Sequence, residues 1–238
     1  MITPAFWLVI PAAGIGARMQ ADCPKQYLKV ENTTILELTL ACFLEHPQLR
    51  GIVVALAEHD QWWPQLAVAT HPAIKTVVGG AQRADSVRNA LAALQSAGAQ
   101  ADDWVLVHDA ARPLLEADDL TRLLVSLADD PIGGLLAAPA RDTLKQVNSA
   151  GRIECTIDRS VIWHALTPQM FRLGVLHSAL EEALRVEAPI TDEASALEYA
   201  GYMPRVIEGR ASNIKVTHPD DIRFLRNQLL DRQKNGSR

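Results

Sequence analysis

Phe6-Trp7-Leu8-Val9-Ile10 runs straight into Pro11-Ala12-Ala13-Gly14-Ile15-Gly16-Ala17-Arg18-Met19-Gln20, and then into Ala21-Asp22-Cys23-Pro24-Lys25-Gln26-Tyr27. The first five residues are continuously apolar, as a strand buried on both faces requires. Small residues at 12, 13, 14 and 16 let the backbone approach a ligand closely, and the glycines allow turns that aim N–H groups inward. Arg18 and Lys25 place two cations beside the loop. Together these make a cradle for a polyphosphate. A dinucleotide fingerprint fits less well, because Gly14-Ile15-Gly16-Ala17-Arg18-Met19 lacks the third glycine. The Gly-Lys-Ser/Thr of a P-loop is absent. On the loop alone, a plain structural turn stays open.

Outward from this loop, strand-like and helix-like patterns alternate. Gly51–Ala57, Lys75–Val78, Trp104–Val107 and Gly134–Ala138 read as further strands. Between them, 34–46 reads as a helix with Ile35, Leu38, Cys42 and Phe43 on one face. Residues 83–97 form another, with Val87, Ala90, Leu91 and Leu94 inward and Gly98 as its stop. Leu120, Leu123, Leu124 and Leu127 mark a third. This βαβ rhythm predicts a mostly parallel sheet with helices on both faces.

The rhythm breaks at 141–163, with a hairpin arm at 141–159. Residues 141–147 and 152–157 flank the turn Asn148-Ser149-Ala150-Gly151 and read as a hairpin with a thin apolar face. Such a hairpin is marginal alone and needs something to pack on. Helices at 173–185 and 191–200, a strand at 204–208 and a short strand Asn213–Val216 follow. A last helix starts near Thr217-His218-Pro219-Asp220-Asp221, with proline in its first turn and acids at its positive end. Residues 1–230 read as one domain including the arm, and 231–238 as a polar, frayed tail.

The chain has 238 residues, 48% hydrophobic and 21% charged, with a net charge of −5. That is ordinary for a globular α/β domain. The negative balance argues against a nucleic-acid partner. Cys23, Cys42 and Cys155 show no metal spacing and fit a reducing, cytoplasmic setting and a packing role. No apolar run reaches the ~18 residues of a membrane span.

His108-Asp109-Ala110-Ala111-Arg112-Pro113 ends a strand, where ligands of open α/β sheets sit. Asp109 can accept from ribose hydroxyls or help hold a magnesium ion, and Arg112 can grip a phosphate. Gly79-Gly80 can expose backbone groups to a base, with Ser86 adding a hydroxyl, although taken alone the stretch reads as a strand-to-helix turn with Ser86 or Asp85 near a cap. Lys145, Arg159 and Lys215 are further cations, Lys215 at an odd mid-strand position. No Gly-x-Ser-x-Gly, HExxH or paired-carboxylate pattern appears. That absence suits phosphoryl chemistry. A phosphate monoester is already ionised at neutral pH, so its attack on an α-phosphate needs cations and alignment, not a general base.

The motifs just quoted, with Pro24-Lys25-Gln26-Tyr27-Leu28, Arg141-Asp142-Thr143-Leu144-Lys145, Asp158-Arg159, Thr167-Pro168-Gln169, Thr191-Asp192-Glu193-Ala194-Ser195 and Asn213-Ile214-Lys215-Val216-Thr217, resemble the methylerythritol-phosphate cytidylyltransferase family. The match runs in order from about residue 8 to 222. The resemblance implies a Rossmann-like nucleotidyltransferase fold and a homodimer joined by the hairpin arm. It implies CTP and 2-C-methyl-D-erythritol 4-phosphate as substrates, magnesium carried mainly on the CTP phosphates, and a step of the non-mevalonate isoprenoid pathway. By matching position, Arg18 and Lys25 would stabilise the pentavalent α-phosphate. Arg159 and Lys215 would position the second phosphate. Ala12, Ala13, Gly14, Gly16, Gly80 and Ser86 would frame the nucleotide, with Asp109 and Ala110 at the ribose. Arg112, Thr143, Thr167 and Thr191 would line the second substrate, Thr143 coming from the partner subunit. Ser212 departs from the acidic residue that many relatives carry there. Rival readings are a ribitol-5-phosphate cytidylyltransferase, a non-catalytic nucleotide-binding regulator and, more distantly, a dinucleotide dehydrogenase.

Overall fold

Six of the expected strands, joined by one at Trp163–Arg172 that the sequence does not announce, pair into one sheet in the computed structural model, which describes residues 3–14 and 23–236. The sheet contains β1 (Phe6–Pro11), β4 (Leu49–Leu56), β5 (Ile74–Val78), β6 (Trp104–Val107), β7 (Gly133–Pro139), β10 (Trp163–Arg172) and β11 (Arg205–Glu208), in the order β11-β7-β10-β6-β1-β4-β5, while β2 (Lys29–Val30) and β3 (Thr33–Thr34) form a separate two-stranded pair. β10 runs antiparallel to both β6 and β7, while the other pairs are parallel. The period-2 alternation of strand side chains divides the core. Leu8 and Ile10 point to the face covered by α1 (Ile35–Leu44) and α3 (Ala117–Leu127). Val9 points to the face covered by α2 (Arg83–Ser96), α4 (Leu173–Arg185) and α5 (Glu193–Tyr199). A third cluster, with Val30, Ile35, Val216 and Leu225, seats α6 (Pro219–Gly236).

Local chemistry sets the helix starts. Thr34 and Glu37 form a reciprocal capping box on α1, and Asp192 and Ser195 do the same on α5. The α5 box leaves Thr191 just outside the helix. Gly134 meets its neighbour most tightly, since a Cβ there would lie 2.0 Å from the Arg205 carbonyl oxygen.

Several expectations change. α1 buries Leu36 and Leu40 along with Ile35 and Phe43, while Leu38 and Cys42 are only partly buried, because the helix packs on two clusters at once. Asn213–Val216 is not a strand. Its Val216 N–H donates to the Ala111 carbonyl at 2.8 Å, but the Asn213 carbonyl accepts from the Arg112 side chain, so no ladder forms. Residues 231–236 continue α6 rather than fraying, and Arg232 donates to the Leu114 carbonyl and the Glu116 carboxylate. Cys155 is exposed, so only Cys23 and Cys42 fit a packing role. His164 is an exposed residue of β10.

The predicted hairpin forms from β8 (Leu144–Val147) and β9 (Ile153–Ile157), paired only with each other. Val147, Ile153, Val161 and Trp163 leave a line of apolar side chains exposed along the arm and its root.

Candidate active site

A cavity of about 280 Å³ opens beyond the carboxyl ends of β1 and β6, with Ala12, Ala13 and Gly14 on one wall and Gly80 and Ser86 on another. Asp109, Ala110, Lys25 and Lys215 complete it. The small residues are needed where the walls meet. A Cβ at Gly79 would lie 2.6 Å from Ala13 Cβ and 2.8 Å from Ser86 Oγ. The Ser86 hydroxyl accepts from Gly80 N–H at 3.0 Å and donates to the Gln82 carbonyl at 3.2 Å, which fixes the turn into α2.

A second cavity, of about 180 Å³, is lined by Arg112, Thr167 and Thr191 and shares Arg83, Asp109 and Lys215 with the first. Asp109 is the hub of the common wall. One carboxylate oxygen accepts from Arg83 Nε at 3.2 Å. The other lies 3.2 Å from Arg112 Nε and 3.0 Å from Lys215 Nζ. Burial alone would raise the Asp109 carboxyl. The charges of Arg83, Lys215 and Arg112 outweigh it and hold the group ionised, well below the usual carboxylate range. Arg83 also makes a bidentate fork with the buried Glu193 carboxylate. Burial pushes Glu193 upward, although Arg83 pulls the other way. Arg83, Arg112 and Lys215 stand against Asp109, Glu193 and Asp192, and Lys25 adds a fourth cation across the first cavity, which is the one the balance suits best to an anion.

Beneath this ring lies a neutral relay. The Arg112 carbonyl can only accept, so the His108 Nε2 that lies 3.0 Å from it carries the proton. His108 Nδ1 then accepts from the Thr167 hydroxyl at 2.9 Å, and Thr167 Oγ1 accepts from Asp109 N–H at 3.1 Å. Burial pushes the His108 imidazole down to about 4, so it stays neutral. Asn213 donates to the Thr167 carbonyl at 2.7 Å and accepts, through its own carbonyl, from Arg112 at 2.7 Å. These bonds draw the loop carrying Lys215 across the ends of the strands and onto Asp109.

The structure thus brings together Ala12, Ala13, Gly14, Lys25, Gly80, Ser86, Asp109, Ala110, Arg112, Thr167, Thr191 and Lys215. Gly16 and Arg18 lie outside the described residues. Thr143 and Arg159 line neither cavity. Both are exposed at the base of the arm, where the Arg159 guanidinium donates to the Arg141 carbonyl. Sequence reasoning assigned no role to Arg83, Glu193 or His108. Arg83 did leave a signal, because it opens α2, at the end of a helix that disfavours a cation. An arginine there needs an acidic partner from elsewhere in the fold.

Comparison with known proteins agrees with this geometry. The profile of the family described as IspD: 2-C-methyl-D-erythritol 4-phosphate cytidylyltransferase matches residues 6–230. A Pseudomonas fluorescens protein of that name is 61% identical over 230 residues, covering 97% of this chain and 98% of its own length. One from Pseudomonas aeruginosa is 62% identical over 219 residues, covering 92% of this chain and 94% of its own. The crystal structure of the Francisella tularensis protein of the same name superposes with a TM-score of 0.82 at 39% identity, over 94% of this chain and 99% of that one. This chain belongs to the 2-C-methyl-D-erythritol 4-phosphate cytidylyltransferase family.

Proposed function

We propose that the chain transfers the cytidylyl group of CTP to 2-C-methyl-D-erythritol 4-phosphate, giving 4-diphosphocytidyl-2-C-methyl-D-erythritol and pyrophosphate. The observation that carries the mechanism is the shared wall: Arg83, Asp109 and Lys215 stand between a small-residue cavity and a cavity lined by Arg112, Thr167 and Thr191. CTP takes the first cavity, its ribose hydroxyls donating to the Asp109 carboxylate beside Ala110. Its base lies against Ala12, Ala13 and the Gly80–Ser86 turn, a space that favours a pyrimidine. The second cavity takes the alcohol phosphate, with Lys215 at the junction. A monoester oxygen attacks the α-phosphorus, a new P–O bond forms, the bond to the β-phosphate bridge breaks, and pyrophosphate carries the electron pair away. No proton has to move. Lys25, together with Arg18, meets the charge that builds on the α-phosphate oxygens. Lys215, with Arg159, holds the nucleophile in line.

Arg159 and Thr143 enter the reading from a second copy of the chain. The exposed apolar line of Val147, Ile153, Val161 and Trp163 supports an arm that docks on a partner. A homodimer therefore completes each site.

Among the described residues, no group of three His, Cys, Asp or Glu side chains forms a metal cluster. The Asp109 carboxylate already faces three cations, which leaves room for a ribose hydroxyl but disfavours a further metal ion. Both facts fit a magnesium ion that rides on triphosphate oxygens and water, as this ion commonly does, and neutralises charge there. A cytoplasmic setting belongs to the same reading. No helix among the described residues is long and apolar enough to cross a membrane.

Pyrophosphate release measured with each of the four common nucleoside triphosphates, against both methylerythritol phosphate and ribitol 5-phosphate, tests this function. CTP with methylerythritol phosphate is expected to dominate. Equal turnover of UTP would contradict a pocket that reads the cytosine amine, and preference for ribitol 5-phosphate would move the substrate.

A further inference from the structure

We infer that Gln26 is a positioning residue. It ties the Lys25–Tyr27 turn to the exit of β1 and thereby sets where Lys25 stands in the cavity. The inference rests on the function proposed above, because it takes that cavity to hold a triphosphate.

Gln26 is 3% exposed and lines the cavity. Its amide nitrogen donates to the Ala12 carbonyl at 2.7 Å and to the Gly14 carbonyl at 3.1 Å. A flipped amide would set its oxygen against two carbonyl oxygens, so the contacts fix its orientation. Both N–H groups are thus spent on one short stretch at the exit of β1. That stretch is anchored in turn, because Ala12 N–H donates to the Ala55 carbonyl of β4 at 2.8 Å. One side chain thus ties the Lys25–Tyr27 turn to Ala12–Gly14.

The other side of the turn is held as well. Lys25–Tyr27 forms a single 3-10 turn. The buried Tyr27 hydroxyl donates to the Asp60 carboxylate at 2.7 Å, and its ring stacks on Trp62 with centroids 5.7 Å apart. Asp60 accepts the N–H groups of Trp62 and Trp63 at 3.0 and 2.9 Å. Gln26 therefore pins the turn inward to the sheet, and Tyr27 pins it outward to the Asp60–Trp63 segment. Lys25 precedes both. A lysine is a point charge on a flexible stem, so where its backbone sits decides where the charge can be delivered. Misplacing a catalytic group by about 1 Å costs on the order of 10²-fold in rate. The amide also occupies a lone pair on each of two carbonyls that would otherwise stand bare beside an anion.

The test is a double-mutant cycle between Gln26→Met and Lys25→Ala. Gln26→Met keeps length and removes both donors. Gln26→Glu, a second variant, sets a carboxylate against the two carbonyls. Thermal unfolding of each full-length variant reports the fold, and two functional quantities are read. One is kcat with CTP and methylerythritol phosphate. The other is the affinity for inorganic tripolyphosphate by calorimetry, which needs no chemistry. Gln26→Met is expected to lower kcat about 10- to 100-fold with a KM for CTP within about threefold, and Gln26→Glu to lower it further. In the Lys25→Ala background, Gln26→Met should cost less than about threefold more in kcat, and the weakening of tripolyphosphate binding by up to about threefold that it causes in the parent should vanish. Effects of Gln26→Met and Lys25→Ala that simply multiply would overturn the inference, as would a Gln26→Met enzyme within twofold of the parent. If the parent binds tripolyphosphate but turns over no CTP, the proposed function fails by itself. The positioning role is then still decided by the binding cycle.

Discussion

The two cavities and the hairpin arm are built on opposite principles. Around Asp109, nearly every polar group finds a partner within the chain: Arg83, Arg112 and Lys215 on its carboxylate, Thr167 on its N–H, His108 behind. On the arm, β8 and β9 pair only with each other, and large apolar side chains stay exposed. A network of that kind is preorganised, so its dipoles and charges need not reorganise when the reaction occurs. A thin hairpin can gain order only by docking. The difference teaches that Lys25 and Lys215 stand at the cavities in the folded chain, whereas on the proposed reading Arg159 and Thr143 reach a site only through a second copy.

The largest effect should come from the preorganised half. Lys25→Ala is expected to lower kcat by about 10²–10³ while changing the KM for CTP far less. Steady-state kinetics in both substrates checks this, and an intact kcat with weak CTP binding would reassign Lys25 to ground-state binding. On the other half, Arg159→Ala should raise the KM for methylerythritol phosphate and lower kcat, together about 10- to 100-fold in kcat/KM, with CTP binding by calorimetry nearly unchanged. If Arg159→Ala abolished CTP binding instead, the contrast between the two regions would break, because the arm would then serve the triphosphate.

A smaller effect concerns stability alone. Burial holds His108 at about 4, below its ordinary value of 6.5. Between those values the unfolded chain binds more protons than the native one, so stability rises with pH. The contribution is complete above pH about 6.5 and is lost as the pH falls toward about 4, by up to about 3 kcal/mol. Asp109, whose native value is depressed, adds its own loss only at lower pH, below the ordinary carboxylate range. Urea unfolding of the parent and of His108→Gln across pH 4–7 separates the two. The variant should lose most of the slope above pH 4, and an unchanged slope would place the titration elsewhere.

The legible parts of the chain are those whose partners are near in sequence or whose apolar runs are unbroken. β1, β4 and β6 announced themselves as two-sided apolar strands, and Gly98, at φ +98°, stopped α2 where expected. The hairpin was readable from its turn. β10 was not, because Pro168 and the polar residues around it mask a strand whose identity depends on β6 and β7 far away. Asn213–Val216 carried a strand-like alternation, but its carbonyl partner is the arginine side chain of a distant loop. Lys215 looks odd only if 213–216 is a strand; the segment is a loop, and its lysine pairs with Asp109. The Arg83–Glu193 fork joins residues 110 apart, and local pattern alone does not join them. The resemblance supplies the cation assignments, and the structure ties Lys215 and Arg112 to the Asp109 carboxylate.

Complementation tests most directly whether each site is completed by a second chain. Thr143→Arg disables the arm's contribution and Lys215→Ala disables the cavity's, so each homodimer should be nearly inactive. When the two are mixed and allowed to exchange subunits, some heterodimers pair a site with intact Lys215 and an arm with intact Thr143. Activity should then recover toward about a quarter of the parent's at equal mixing, since about half the dimers carry one whole site of two. No recovery after demonstrated subunit exchange, or a fully active monomer in solution, would contradict the account.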